Sequence, residues 1–279
     1  MKKGIYFIRF IVLFGFFSAN AQQRELSNST TNSGNRSSLS RPSNSSVQRS
    51  VNTRRLTDDV NDYNSLFGYG ITTNTNAGVI GGGALKKTVF LNQTKSGRNQ
   101  YHYFGLELVN VKHPKEKQLQ APNGSRFIYG KQNYLLALRP QYGREITLFH
   151  RSADEGVQIN GVIAAGPSIG IVKPYYIQYE YRRGLVRTEP YDPAVHTQFN
   201  SIIGSGNFFE GFDQATFNLG GHIKTGINFE LDAFRTSSIG LEIGFLMEQY
   251  SKEIVIFPKA NNRSFFTSGY ITLYIANKK

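Results

Sequence analysis

The sequence predicts an all-β protein: a closed antiparallel transmembrane β-barrel of eight strands, with ten the alternative count, preceded by a disordered tail. Three observations predict it: a long stretch of strictly alternating apolar and polar residues, an export signal at the start, and the absence of cysteine. Across residues 217–232, Phe217, Leu219, Gly221, Ile223, Thr225, Ile227, Phe229 and Leu231 fall on one face of a strand. Asn218, Gly220, His222, Lys224, Gly226, Asn228, Glu230 and Asp232 fall on the other. A strand in a soluble sandwich holds about 5–6 residues. One that crosses a bilayer at a tilt needs about 9–11, apolar outward and polar inward. The length of this alternation favours the membrane.

Residues 1–21 read as a secretory signal. Lys2 and Lys3 open it, an apolar run follows over 5–17, and Ala19-Asn20-Ala21 gives the small-x-small cleavage site before Gln22. The run is shorter than the roughly 20 residues of a spanning helix. With no cysteine, disulfides, thiolate metal sites, cysteine nucleophiles and a lipoprotein anchor are excluded. An exported chain without disulfides must then rely on its hydrogen-bond ladder, which a barrel closes without a free edge. The mean hydropathy is negative, as suits strands with one face on a polar lumen. Residues 22–65 are rich in Ser, Asn and Arg and poor in aliphatics, and are expected to form a disordered periplasmic tail.

The barrel is expected over 66–279. The predicted strands cover 67–75, 79–90, 101–112, 132–150, 157–181, 217–232, 238–254 and 265–275. Gly81, Gly82 and Gly83 suit a tight corner of the second strand. They lack the Lys-Ser/Thr ending and following helix of a phosphate loop. In the third strand Phe104, Leu106 and Leu108 oppose Tyr103 and Glu107. Pro140 and Gly143 mark an expected bulge or bend in the fourth. The fifth is unusually long, and its end, where Tyr175, Ile177, Tyr179 and Tyr181 share a face, reads as an aromatic girdle at the membrane surface. In the seventh, Ile239, Ile243, Phe245 and Met247 face out and Glu242, Glu248 and Tyr250 in. In the eighth, Ile271, Leu273 and Ile275 face lipid. Connections after strands three, five and seven are longer than those after four and six, an alternation that puts both termini in the periplasm.

An eight-stranded barrel is just wide enough to be filled by side chains. Glu107, His222, Lys224, Glu230, Glu242 and Glu248 are assigned to the lumen, with Arg139 and Arg144 as partners, because charges away from water need counter-charges. A salt-bridged interior is the main reading, and a narrow ion path is the sharper one. His150, Ser152 and Glu155 offer a base, a hydroxyl and a carboxylate, but in a short turn where such residues are ordinary. The five histidines show no metal-ligand spacing, so neither metal nor cofactor is expected. The formal charge of +13 falls by three to +10 once Lys2, Lys3 and Arg9 leave with the signal. For an exported chain this suits lipopolysaccharide phosphates, not nucleic acid. Phe199, Phe208, Phe209 and Phe212 in the longest connection suggest contact with a protein partner or a loop packed on itself, and partner contact is the reading adopted.

The export signal, the Gly-rich hairpin at 78–86, the alternating final hairpins and the G-P-S-I-G segment at 166–170 together resemble the small outer-membrane barrels of the Bacteroidota, the OmpA-, OmpX- and PorT-like group. The resemblance spans residues 67–275. The chain ends Ala276-Asn277-Lys278-Lys279, whereas such barrels commonly end on an aromatic residue, and the nearest here is Tyr274. The resemblance implies a non-enzymatic subunit of an envelope assembly, concerned with secretion or outer-membrane biogenesis and in contact with outer-membrane lipid and neighbouring proteins. Two alternatives stand beside it. One is a lipid A-modifying enzyme. The other is a secreted soluble ligand-binding barrel, which would need an apolar lumen.

Overall fold

The computed structural model describes residues 63–121, 123–150, 156–234 and 236–279, without the side chains of 79–80 and 232–234. The expected signal, nearly all of the expected tail, Ser152 and Glu155 lie outside the described residues. In chain order the strands are β1 (Ser65–Asn74), β2 (Gly78–Gln93), β3 (Asn99–Val111), β4 (Gln118–Gln120), β5 (Arg126–Ile128), β6 (Asn133–Phe149), β7 (Val157–Pro174), β8 (Tyr176–Arg182), β9 (Leu185–Pro190), β10 (Ile202–Ser205), β11 (Thr216–Phe234), β12 (Ser237–Ile254) and β13 (Arg263–Lys278). Eight of them close a barrel in the order β1-β13-β12-β11-β7-β6-β3-β2. Each is antiparallel to its neighbours, and the ring is sealed by the ladder from Leu66↔Lys278 to Asn74↔Tyr270.

The alternation sets the two faces. Along β11, Phe217, Leu219, Ile223 and Ile227 are exposed on the outer wall, while Asn218, His222, Lys224, Asn228 and Glu230 are buried in the lumen. The same division holds for Phe104, Leu106 and Leu108 against Tyr103 and Glu107, and for Ile271, Leu273 and Ile275 against Tyr270, Thr272 and Tyr274. β11 has 19 residues, and at about 3.3 Å per residue it is longer than a hydrocarbon layer requires.

Tyrosines fill the lumen by reaching across the neighbouring strand to glycines two strands away. A β-carbon at Gly170 would meet Tyr250 at 2.7 Å, and one at Gly226 would meet the Tyr270 hydroxyl at 2.5 Å. Small-opposite-large pairing lets broad rings lie flat inside a narrow cylinder.

One end carries the connections 75–77, 112–132, 175–215 and 255–262, and the other carries 94–98, 150–156 and 235–236 with the C-terminus. Two connections at the first end, 112–132 and 175–215, are long, and the others at either end hold eight residues or fewer. The expected fifth strand divides: β7 stays in the barrel, while β8 leaves it to pair with β9 and β10. The count of eight follows from that division. The girdle reading of its end is corrected, because Tyr175, Ile177 and Tyr179 are buried with Ala121, Phe127, Tyr191 and Ile202 in a separate core. The Tyr175 hydroxyl accepts the backbone N–H of Ile128 on the β4–β5 hairpin at 3.0 Å. These loops thus form a folded platform above the barrel.

Candidate functional site

The lumen holds a file of alternating charges. Lys86 on β2 lies 2.9 Å from Glu145 on β6 and 3.7 Å from Glu242 on β12. Lys224 on β11 bridges Glu242 and Glu107, at 2.8 Å to each. Arg139 on β6 lies 3.9 Å from Glu107. It donates from Nε and Nη2 to the two oxygens of Glu248, at 2.8 and 2.7 Å. Read along the barrel, the order is Glu145, Lys86, Glu242, Lys224, Glu107, Arg139, Glu248. Each cation stands between two carboxylates, an arrangement that offsets the cost of removing charge from water.

Neutral groups complete the file. Asn160 and Asn228 donate to Glu145 at 2.8 and 2.9 Å, and Tyr270 donates to Glu242 at 2.8 Å. The Lys224 ammonium also sits 4.5 Å from the centre of the Tyr270 ring, a cation–π contact. His222 joins through Ser168, at 3.0 Å from Nδ1.

One lumen assignment changes and two residues join the list. Arg144 is not in the lumen: β3 and β6 pair from Gln100↔Ile146 to Val111↔Leu135 without a shift of register, so the bulge expected at Pro140 and Gly143 is absent. Without it, Arg139 and Arg144 have opposite parity, and Arg144 meets His102 on the outer wall at 3.2 Å. The same parity puts Glu145 in the lumen, which sequence reasoning missed along with Lys86. The signal for Glu145 was its odd number in a strand where Arg139 already faced inward. Lys86 follows a glycine run with no alternation to set its phase.

Side chains pack across both ends of the lumen. Above the charges, Val111, Leu135, Tyr250, Ile254, Ile256 and Phe257 form an apolar cap. Below them, Tyr63 stacks on Tyr101 with ring centres 5.2 Å apart. Its hydroxyl donates to Glu230, which Lys278 pairs at 3.2 Å. Tyr63 lies within the segment expected to be tail, yet it packs across the barrel's lower end.

The remaining candidates are dispersed. His150 is exposed at the lower end of β6. Phe199 packs on Phe127 and Tyr129 of the platform, at 5.3 and 5.5 Å. Phe208, Phe209 and Phe212 form a separate cluster. Phe208 and Phe212 each lie 5.0 Å from the Lys173 ammonium, and Phe208 packs on Tyr134 at 5.4 Å. Tyr134 and Lys173 are cross-strand partners whose parity turns them to the outer wall, so this cluster lies against the outside of the barrel rim. Phe209 is its most open member, 75% exposed.

On the platform, Glu189 accepts from Tyr181, and His196 Nε2 lies 2.9 Å from it. The Tyr181 hydroxyl first, with His196 adding to it, holds the Glu189 carboxyl below its ordinary range. Lys131 pairs with Glu116 at 2.7 Å. Burial nevertheless pushes its ammonium below the usual lysine range.

No family model matches the chain, and no curated protein matches it. Among solved structures, it is similar to Neisserial surface protein A, with 7% identity over 77% of this chain and 96% of that one and a TM-score of 0.34. It is also similar to Ail, the attachment invasion locus protein of Yersinia pestis, solved with the heparin analogue sucrose octasulfate. That match has 10% identity over 77% and 96% of the two chains and a TM-score of 0.30. The ring of eight strands stands on its own hydrogen-bond ladder.

Proposed function

We propose that the chain is an outer-membrane β-barrel without catalytic activity of its own, a structural or accessory subunit of an envelope assembly. The observation that carries the membrane reading is the inversion of the barrel: charges fill the lumen and apolar side chains cover the wall. A soluble ligand-binding barrel needs the opposite arrangement. Strand direction supports a periplasmic tail, because both termini of the barrel lie at the end with short turns. The Bacteroidota grouping and the export signal belong to the same proposal and rest on the sequence features that suggested them.

With the lumen filled, the surfaces free to act are the platform and the rim. The cluster of Phe208, Phe209 and Phe212 continues the apolar wall above Phe217, which suits contact with another membrane-embedded protein. The test is fractionation of tagged protein, electrophoresis with and without boiling, and co-purification. Outer-membrane recovery, heat-dependent mobility and a stoichiometric companion lost in Phe209→Asp are expected. Recovery in the soluble fraction would overturn the membrane reading, and solitary recovery the accessory role. His150→Ala is expected to leave lipid A profiles unchanged, and an altered profile would restore the enzyme alternative.

A further inference from the structure

At the loop end of the barrel, the first hairpin turns in only three residues, 75–77, so the wall is low there. Beside that low rim lies a cleft of about 380 Å³, bounded by the turn, the start of the β3–β4 connection and the β12–β13 loop. This volume is within the range of about 300–1,000 Å³ usual for ligand pockets. Its floor is the apolar cap of the lumen, through Ile254, Ile256 and Phe266. Around that floor stand Lys112, His113, Lys115, Lys259 and Arg263, and no acidic residue lines it.

The contrast with the lumen is chemical. Inside the barrel, every cation of the file has carboxylate partners. At the cleft, among the described residues, no carboxylate lies in ion-pair range of Lys112, Lys115, Lys259 or Arg263. Glu116, the nearest carboxylate in sequence, is engaged by Lys131 at 2.7 Å. Glu253 lies beside Arg263 outside the cleft. Clustered like charges repel, and an anion placed among them relieves that repulsion. Phe265, half exposed on the outer wall, also lines the cleft, so the opening reaches over the rim toward lipid.

We propose that this cleft binds a phosphorylated headgroup, carried by a membrane lipid entering over Phe265 or by a free phosphate ester. Cations hold the phosphate, and the apolar floor takes the ring or chain attached to it.

The test uses the full chain folded in neutral detergent, titrated with diphosphoryl lipid A and with pyrophosphate and followed by phosphorus NMR and native mass spectrometry. The variant Lys112→Glu/Lys259→Glu is compared with Lys95→Glu/Arg98→Glu at the opposite end and with Lys112→Arg/Lys259→Arg. Heat-dependent mobility checks the folding of each. Binding is expected to weaken about tenfold or more in the first pair, from the loss of two charge-assisted contacts, and to persist in the other two. Displacement of the lipid by pyrophosphate at similar concentration assigns the site to free phosphates, and its failure to displace assigns the site to a lipid. Absent binding, or equal losses at both ends of the barrel, would overturn the proposal. The lipid arm rests on the membrane reading. The pyrophosphate arm does not, so a soluble protein that still binds pyrophosphate would separate the two.

Discussion

The ring of Tyr274 lies across Gly240, its partner on β12, so closely that a β-carbon at residue 240 would stand 1.9 Å from Cζ. The ring is held there by its hydroxyl, which donates to Asn228 at 2.7 Å and receives from Lys86 at 3.4 Å. Gly240→Ala must therefore displace the ring and both bonds, a loss of about 3 kcal/mol. Gly83→Ala meets only a backbone oxygen at 3.9 Å and is expected to change stability by less than about 0.5 kcal/mol. Urea unfolding in micelles, read by the unboiled mobility, distinguishes them. Equal midpoints would show that the ring tolerates displacement.

Removing one charge from the lumen file should cost more than removing a pair. Lys224→Met leaves Glu107 and Glu242 without their 2.8 Å partner and is expected to cost about 3–5 kcal/mol. Adding Glu107→Gln removes one of the stranded charges and should restore part of that loss. A double-mutant cycle measures the coupling. Additive losses would mean that the two groups do not interact.

The filled lumen predicts electrical silence. With Tyr63 below and the apolar cap above, the wild-type barrel in a planar bilayer should show no conductance steps. Tyr63→Ala should stay silent as well, since the charge file and the upper cap remain, while losing about 3 kcal/mol of stability. Steps in the wild type would revive the ion path.

The platform should loosen in acid. Because the Glu189 carboxyl titrates lower when folded than when unfolded, its contribution is complete above its unfolded value of about 4.3. That contribution fades as pH falls through the lower folded value. The protection of β8 and β9 amides, corrected for the intrinsic exchange rate at each pH, should be constant from about pH 7 to 5 and fall below about pH 4. Glu189→Gln should abolish that step. A step that persists in the variant would assign it to another group.

The barrel was legible because a period of two is a direct record of two solvents, and β11, β12 and β13 carry it with few breaks. Parity is an all-or-none quantity, however, and one assumed bulge turns every later residue to the other face. Arg139 and Arg144 were assigned to the lumen together, yet in an unshifted strand they differ in parity, and Glu145 takes the inward place. The run of Tyr175, Ile177 and Tyr179 failed differently. Its period was read correctly, but periodicity does not say whether an apolar face meets lipid or protein, and here it meets Phe127 and Tyr191. Tyr63 gave no periodic signal at all, since a lone aromatic outside a strand has no phase.

The alternating file of charges also limits how this chain can drift over generations. Its members are remote in sequence, 117 residues apart for Lys224 and Glu107 and 109 for Arg139 and Glu248. Replacing one strands the next, so changes in the lumen must arrive as compensated sets. The outer wall asks only for an apolar side chain and can be rewritten one residue at a time. Two faces of the same strand are thus constrained differently, in coupled sets inside and residue by residue outside.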